Sequence, residues 1–263
     1  MVSAERAWVL YEYPFNEGIR TMLRLEHLFG RLDALVSRET TVDHHFALVT
    51  LFEIMDVASR ADLKSDLLKE LERHRTQLLG YRGLPGVDER VLNGIVARID
   101  HAFAGLNALQ GKAGQSLASN DWLMSVRSRI SIPGGTCEFD LPAYYAWQQH
   151  APERRQADLL GWISALSPLG EALRVLLGLL RDNGTPQRMV APGGQYQQSL
   201  QPPGATGPKT YQLLRVKVDA GDGLVPEISG HRLMVSIRFM KPDGEGRLRA
   251  AGADSRFELS LCA

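Results

Sequence analysis

Apolar residues recur at helical spacing from residue 16 to about 181 and then at every second position towards residue 261, so the chain predicts helices followed by strands. Ahead of them, Trp8 to Tyr13 reads as a short strand ended by Pro14. Asn16 then caps a helix carrying Ile19, Leu23, Leu28, Leu32 and Leu35. A second helical pattern runs from Val42 to Val57. A third, Asp62 to Leu79, sets Leu63, Leu67, Leu71 and Leu78 against Lys64, Lys69, Glu72 and Arg73. Gly83-Leu-Pro-Gly-Val-Asp88 marks a turn whose aspartate caps the next helix, with Val91, Ile95, Ile99 and Phe103 as its apolar positions. Asp121 starts another short helix, and helical patterns follow over 142–150, 153–166 and 168–181, closed by Asn183-Gly184.

From Gln187 the punctuation changes to Gly193-Gly194, Pro202-Pro203-Gly204 and Gly221-Asp-Gly223, separating runs of period two that predict antiparallel strands. In His231 to Met240, Leu233, Val235, Ile237 and Phe239 share one face, while Arg232, Ser236 and Arg238 share the other. In Tyr211 to Asp219, Leu214, Val216 and Val218 point inward and Arg215 and Lys217 outward; Phe257, Leu259 and Leu261 give a last half-buried strand. The expected fold class is α+β. A helical domain takes residues 14–130 and 142–184, and an antiparallel β-sheet domain takes 1–13, 131–141 and 185–263. The N-terminal strand and the central 130–141 segment are thus expected to join the β domain.

Composition narrows the function. With 263 residues, 44% hydrophobic and 23% charged, the chain builds one large or two modest globular domains. Lysine plus arginine equals aspartate plus glutamate at 30 each, so no overall field recruits nucleic acid or anionic membrane; electrostatic binding has to come from patches. Cys137 and Cys262 are far apart and lack metal-like spacing, which suits a reduced cytoplasmic setting, although one long-range disulfide is also compatible. Glu5 and Arg6 interrupt the N-terminus before the short apolar run Ala7 to Leu10, so no secretion signal is expected. Leu169 to Leu180, broken by Glu171 and Arg174, falls short of the roughly 20 residues a bilayer span needs, and no membrane insertion is expected.

Catalytic and cofactor signatures do not emerge. Neither G-x-x-x-x-G-K-[ST] nor G-x-G-x-x-G opens a helix, no H-E-x-x-H occurs, and the adjacent His44 and His45 diverge by about 100° on a helix. No metal and no cofactor are expected. Cys137 has no local base to activate it and reads as a buried strand cysteine, and Ser164 and Ser167 lack the nucleophile elbow. Basic residues do group. On the helix after Asn16, Arg20, Arg24, His27 and Arg31 fall within a sector of about 60°. If the strands of 211–219 and 231–240 are neighbours, Arg215, Lys217, Arg232 and Arg238 project from one sheet face; Arg60, Arg127 and Arg129 are further candidates. The plain readings are a solvated helix face whose arginine stems cover apolar surface, and an exposed sheet charged against edge pairing.

Between two helical patterns lies Arg129-Ile-Ser-Ile-Pro-Gly-Gly-Thr-Cys-Glu-Phe-Asp-Leu-Pro142, whose Pro133-Gly134-Gly135 corner forces a sharp turn and whose apolar residues suit folding against a core. Other landmarks are Leu10-Tyr-Glu-Tyr-Pro-Phe-Asn-Glu17, Arg20-Thr-Met-Leu-Arg24, Leu67-Leu-Lys-Glu-Leu71, Gly83 to Asp88, Trp162-Ile-Ser-Ala-Leu-Ser-Pro168, Ile228-Ser-Gly-His-Arg232 and Ile237-Arg-Phe-Met240. In this order they resemble the ZapD family of bacterial cell division proteins. The resemblance implies a cytoplasmic homodimer at the mid-cell division ring that binds the C-terminal tail of FtsZ and bundles its protofilaments. It further implies an adaptor rather than an enzyme, with basic surfaces drawn from the residues above. An alternative from another class is an enzyme that holds a small anionic substrate in a basic inter-domain cleft with Arg20, Arg24 and His27. Nucleic-acid binding is a third reading, disfavoured by neutral charge and 7% aromatic content.

Overall fold

A computed structural model of the chain describes residues 7–59, 62–201, 210–231 and 233–263. The chain divides into two compact units: Met1–Thr21 with Gly178–Ala263, and Met22–Leu177. The α+β organisation follows the periodicity, with helices over residues 17–182 and strands at 8–14 and 187–262.

The first unit is built on two antiparallel sheets. One has the order β1 (Trp8–Pro14), β4 (Leu213–Asp219), β8 (Ser255–Cys262), β2 (Gln187–Ala191). The other has the order β3 (Gln195–Ser199), β6 (Met234–Pro242), β5 (Val225–His231), with β7 (Leu248–Ala250) also on β6. Alternate residues of both sheets meet in one buried cluster: Leu214, Val216 and Val218 of β4, Phe257 and Leu259 of β8, and Val235, Ile237 and Phe239 of β6. Phe257 touches Phe239 at 4.9 Å and Tyr196 at 5.2 Å between ring centroids, which fixes the face-to-face packing.

This pairing corrects one expectation. The strands of 211–219 and 231–240 are not neighbours: β4 pairs with β1 and β8, whereas β6 pairs with β3, β5 and β7. Because the inner residues of both strands share one cluster, Arg215 and Lys217 leave the sandwich on one side and Arg238 on the other. Period-two alternation tells which face of a strand is buried but not which strand lies beside it.

The second unit is helical. It centres on α2 (Thr41–Ala58), which is apolar nearly all round, with Ala47, Leu48, Leu51, Phe52, Ile54 and Met55 buried. Thr40 caps it by accepting from the Asp43 amide at 3.0 Å. The preceding helix, α1 (Glu17–Val36), starts as predicted, the Ile19 amide donating to Asn16 Oδ1 at 2.8 Å. There follow α3 (Leu63–Leu79), α4 (Glu89–Ala108), α5 (Asp121–Ile130), α6 (Pro142–Gln148), α7 (Pro152–Ser164) and α8 (Ser167–Asp182). In α4 the buried stripe is Leu92, Val96, Ile99, Ala102 and Leu106, and Val91 is 59% exposed, so the expected apolar face is turned by one residue.

Residues 131–141 form no strand and lie in the helical unit, contrary to the expectation that they join the sheets. Their amides are used locally instead: Ile132 donates to Arg129 O at 2.9 Å, Gly135 to Ile132 O at 2.9 Å, and Leu141 to Cys137 O at 2.9 Å. Gly134 has φ +69°, and a Cβ on Gly135 would stand 2.8 Å from Arg129 O, so the two glycines permit the chain to fold back on the end of α5. Phe139 is 79% exposed, and the Cys137 thiol, partly exposed, donates to Gly134 O at 2.9 Å rather than packing inside a strand.

A buried arginine ties the helical unit together. Arg155 of α7, 4% exposed, donates through Nε to His44 Nδ1 at 2.9 Å, through Nη1 to the carbonyls of Gln148 (3.1 Å) and His150, and through Nη2 to Glu39 O at 2.6 Å. His44 Nε2 lies 2.8 Å from the Arg38 carbonyl, so the ring must donate there and accept from Arg155: a neutral imidazole with the proton on Nε2. Burial, with Arg155 adding to it, holds the His44 pKa below its ordinary value. His45, hydrogen-bonded at Nδ1 to the Tyr144 hydroxyl (2.8 Å), is lowered by burial too.

The unfolded chain therefore binds more protons than the folded one below the ordinary histidine pKa of about 6.5. Stability is complete above that pH and declines as pH falls towards the depressed folded values. Thermal melts at pH 7.5 and 5.5 are expected to show a lower midpoint at pH 5.5, with part of the difference removed by His44→Gln. Equal midpoints would contradict the neutral-ring network.

Candidate functional site

On α2, Thr50, Glu53 and Asp56 are spaced by three, which places them in succession along one side of the helix. Arg31 of α1 donates through Nε to Thr50 Oγ1 at 2.9 Å and through Nη2 to Glu53. Arg127 of α5 donates through Nη2 to Asp56. Two guanidiniums from helices distant in sequence thus meet two carboxylates one helical turn apart. The face is open: the side chains of Arg31, Glu53, Arg127 and Asp56 are 39%, 44%, 35% and 62% exposed. Arg24 and His27 lie on the same α1 stripe as Arg31 and are exposed. Arg127 and Arg129 both stand in the last turn of α5, where positive charge complements the helix end. Being two residues apart they differ by about 200° around the axis, so Arg129 is exposed on a different side from Arg127.

The other described candidates belong to the first unit, where each has its own partner. Arg20 lies in the first unit and pairs with Glu17 at 3.2 Å. Arg215 donates through Nε to Glu12 Oε1 at 3.0 Å, and Arg181 holds the same carboxylate through Nε (2.9 Å) and Nη2 (2.7 Å). The Glu12 side chain is 15% exposed, so Arg215 joins β4 to β1 and to the end of α8 rather than facing a partner. The Lys217 ammonium sits 5.0 Å from the centre of the Trp8 ring. On the far sheet Arg238 grips Glu227 at 2.8 and 3.2 Å. The expected sheet cluster is therefore divided, with Arg215 and Lys217 on one surface of the sandwich and Arg238 on the opposite one. Arg60 and Arg232 lie outside the described residues.

Counter-ions are what sequence reasoning missed. Glu53, Asp56, Glu12 and Glu227 each hold an expected binding arginine, and only Glu53 and Asp56 left a trace in the sequence, as an i, i+3 acidic pair in the apolar second half of α2. Arg155 was missed because nothing in the adjacent pair Arg154-Arg155 reveals that one of the two is buried. Among the described residues no group of three or more His, Cys, Asp or Glu side chains stands ready to hold a metal. An open apolar groove of about 680 Å³ along α3 and α4, lined by Leu68, Lys69, Glu72, Arg73, Thr76, Gln77 and Phe103, contains none of the expected residues. No single helix among the described residues is long and apolar enough to cross a membrane; α7 and α8 qualify only together, and they bend by 66° at their junction.

Comparison with known proteins places the whole chain among relatives. Residues 23–238 match the model of the family described as ZapD, a cell division protein. The chain is 51% identical over 255 residues to the "Cell division protein ZapD" of Ralstonia nicotianae, covering 97% of this chain and 99% of the relative. It is 50% identical to that of Ralstonia pickettii, with the same coverage, and 48% identical over 254 residues to that of a Janthinobacterium species, again covering 97% and 99%.

Proposed function

This chain belongs to the ZapD family of cell division proteins, and from that membership we propose that it is an adaptor which captures the acidic C-terminal tail of FtsZ and bundles FtsZ protofilaments. The observation that carries this reading is the meeting of Arg31 and Arg127 on one exposed face, already engaged with carboxylates in the manner a tail carboxylate would require. Arginine suits the task because its planar fork presents several donors to a carboxylate at once. Arg24 and His27, on the same stripe of α1, extend the positive surface, and Arg129 adds charge at the end of α5.

Contacts of this kind are weak singly. Exposed ion pairs contribute about 0–1 kcal/mol each, and screening sets in beyond roughly 8 Å at physiological salt. Bundling then follows from valency: a two-fold homodimer presents two equivalent tail sites, and a polymeric partner supplies many tails at high effective concentration. The role involves no catalytic step, no cofactor, no nucleic acid and no membrane insertion, and it places the protein in the cytoplasm at the mid-cell ring.

The direct test is titration of a synthetic FtsZ tail peptide into the purified protein at about 50 and 300 mM salt, a range across which charge screening changes strongly. Binding that weakens several-fold across this range supports the reading. Binding that ignores salt points to an apolar interface, and no binding at low salt removes the reading altogether.

A further inference from the structure

The exposed face carries its own acid. Arg31 and Arg127 contribute two positive charges, and Glu53 and Asp56 cancel both, so an approaching anion meets paired charges rather than a bare cationic surface. Unlike Glu12, which is 15% exposed and serves two arginines inside the fold, Glu53 and Asp56 are 44% and 62% exposed. Their removal therefore leaves no buried charge stranded. The Arg31 stem is also held independently, since its Nε donates to Thr50 Oγ1 at 2.9 Å, and Thr50 is itself anchored on the Phe46 carbonyl at 2.8 Å. Among the described residues the recorded bonds use two of the five N–H donors of the Arg31 guanidinium and one of those of Arg127.

From this geometry we propose that Glu53 and Asp56 are a built-in competitor for the acidic ligand, setting the face to accept a peptide with two or more carboxylates and to reject single ones. The proposal rests on the reading of the face as an acidic-tail site. A lone carboxylate that takes one arginine exchanges one exposed ion pair for another and gains almost nothing, while paying the entropy of association. A peptide that places two carboxylates within about one helical turn of each other, some 4.5 Å along the axis, replaces both internal partners in one binding event. The internal pair thus works as a threshold: it lowers the affinity of every anion, by one exchanged ion pair for a single carboxylate and by two for a peptide that takes both arginines, and only the peptide regains the loss by making its second contact without a second association cost.

The experiment uses the full-length protein and the variants Glu53→Gln, Asp56→Asn and the two combined, which keep size and helix-compatible side chains. Circular dichroism and thermal midpoints establish that each is folded. Fluorescence polarisation with a labelled FtsZ tail peptide at low salt is expected to show about threefold tighter binding for each single variant and about tenfold for the double. Exchanging chloride for acetate at constant ionic strength is expected to displace peptide from the double variant and not from the parent. Peptide binding that the substitutions leave unchanged or weaken overturns the competitor role while leaving the acidic-tail site standing, since the carboxylates would then only orient the arginines. Peptide binding that survives Arg31→Glu with Arg127→Glu in the same assay overturns both, because the tail would be binding elsewhere. Acetate displacing peptide equally from parent and double variant also overturns the proposed threshold.

Discussion

Replacing Arg155 by methionine is expected to lower the unfolding free energy by about 3 kcal/mol, the largest effect of any single substitution considered for this fold. Two opposed contributions decide the size. Burying a guanidinium among neutral partners costs several kcal/mol, and methionine removes that cost. Against this, the Nδ1 of His44, which is buried, and the carbonyls of Glu39, Gln148 and His150, whose bonds are part-buried, all lose their donor, at about 1–3 kcal/mol each. Four orphaned acceptors outweigh one relieved charge. Urea unfolding followed by tryptophan emission reads the unit directly, because Trp122, Trp147 and Trp162 cluster there with centroids 5.1–6.1 Å apart. Arg155→Lys should recover little, since a single ammonium cannot span acceptors on three segments. A loss below about 1 kcal/mol would mean that the carbonyls find other donors.

The second large effect concerns binding. The double reversal Arg31→Glu with Arg127→Glu is expected to weaken FtsZ tail binding at least tenfold at low salt and to abolish co-sedimentation of bundles, with the circular dichroism spectrum unchanged. Each reversal removes an attraction and adds a repulsion of similar size. At about 0.5–1 kcal/mol for each of those four contributions, the sum passes the 1.4 kcal/mol that equals a factor of ten. The structural cost is small, because both ion pairs are on the exposed face of α2 and the core beneath it is made by Leu48, Leu51, Phe52 and Met55. Reversing Arg238, which lies in the other unit and is held by Glu227, is the matching control and should change tail affinity less than twofold.

Local structure was open to reading wherever one residue type forces a geometry. Asn16, Asp88 and Pro142 announced three helix starts, and alternation announced the inner faces of β4, β6 and β8 except at Leu233, which precedes β6 and is 43% exposed. The phase of α4 was misread because Val91, Ile95 and Phe103 compete with Leu92, Val96 and Leu106 for the same helix, and only packing chooses between overlapping stripes. Residues 131–141 looked strand-like because Ile130, Ile132, Phe139 and Leu141 are apolar, yet the turn bonds around Gly134 and Gly135 use their amides before any ladder can.

The basic residues posed a harder problem. Counting cations along a helix identified Arg31, and Arg127 was named only as a further candidate. Such counting did not show that Glu53 and Asp56, some twenty to seventy residues away in sequence, would be their partners, because an ion pair is a property of the folded state. The same blindness joined Arg215 and Arg238 into one surface, where Glu12 and Glu227 hold them on opposite sides of a sandwich.

The sheet order β1-β4-β8-β2 has a consequence for how the polypeptide matures on the ribosome. Residues 22–177 form an uninterrupted unit and can condense as soon as they emerge, whereas β1, made first, must wait for β4 some two hundred residues later. The sheet closes only when β8 slides between β4 and β2, so a premature stop codon ahead of Ser255 would delete an interior strand and strand both neighbours as raw edges open to aggregation. Nascent chains of this protein are thus most vulnerable in the interval between the emergence of β4 and that of β8.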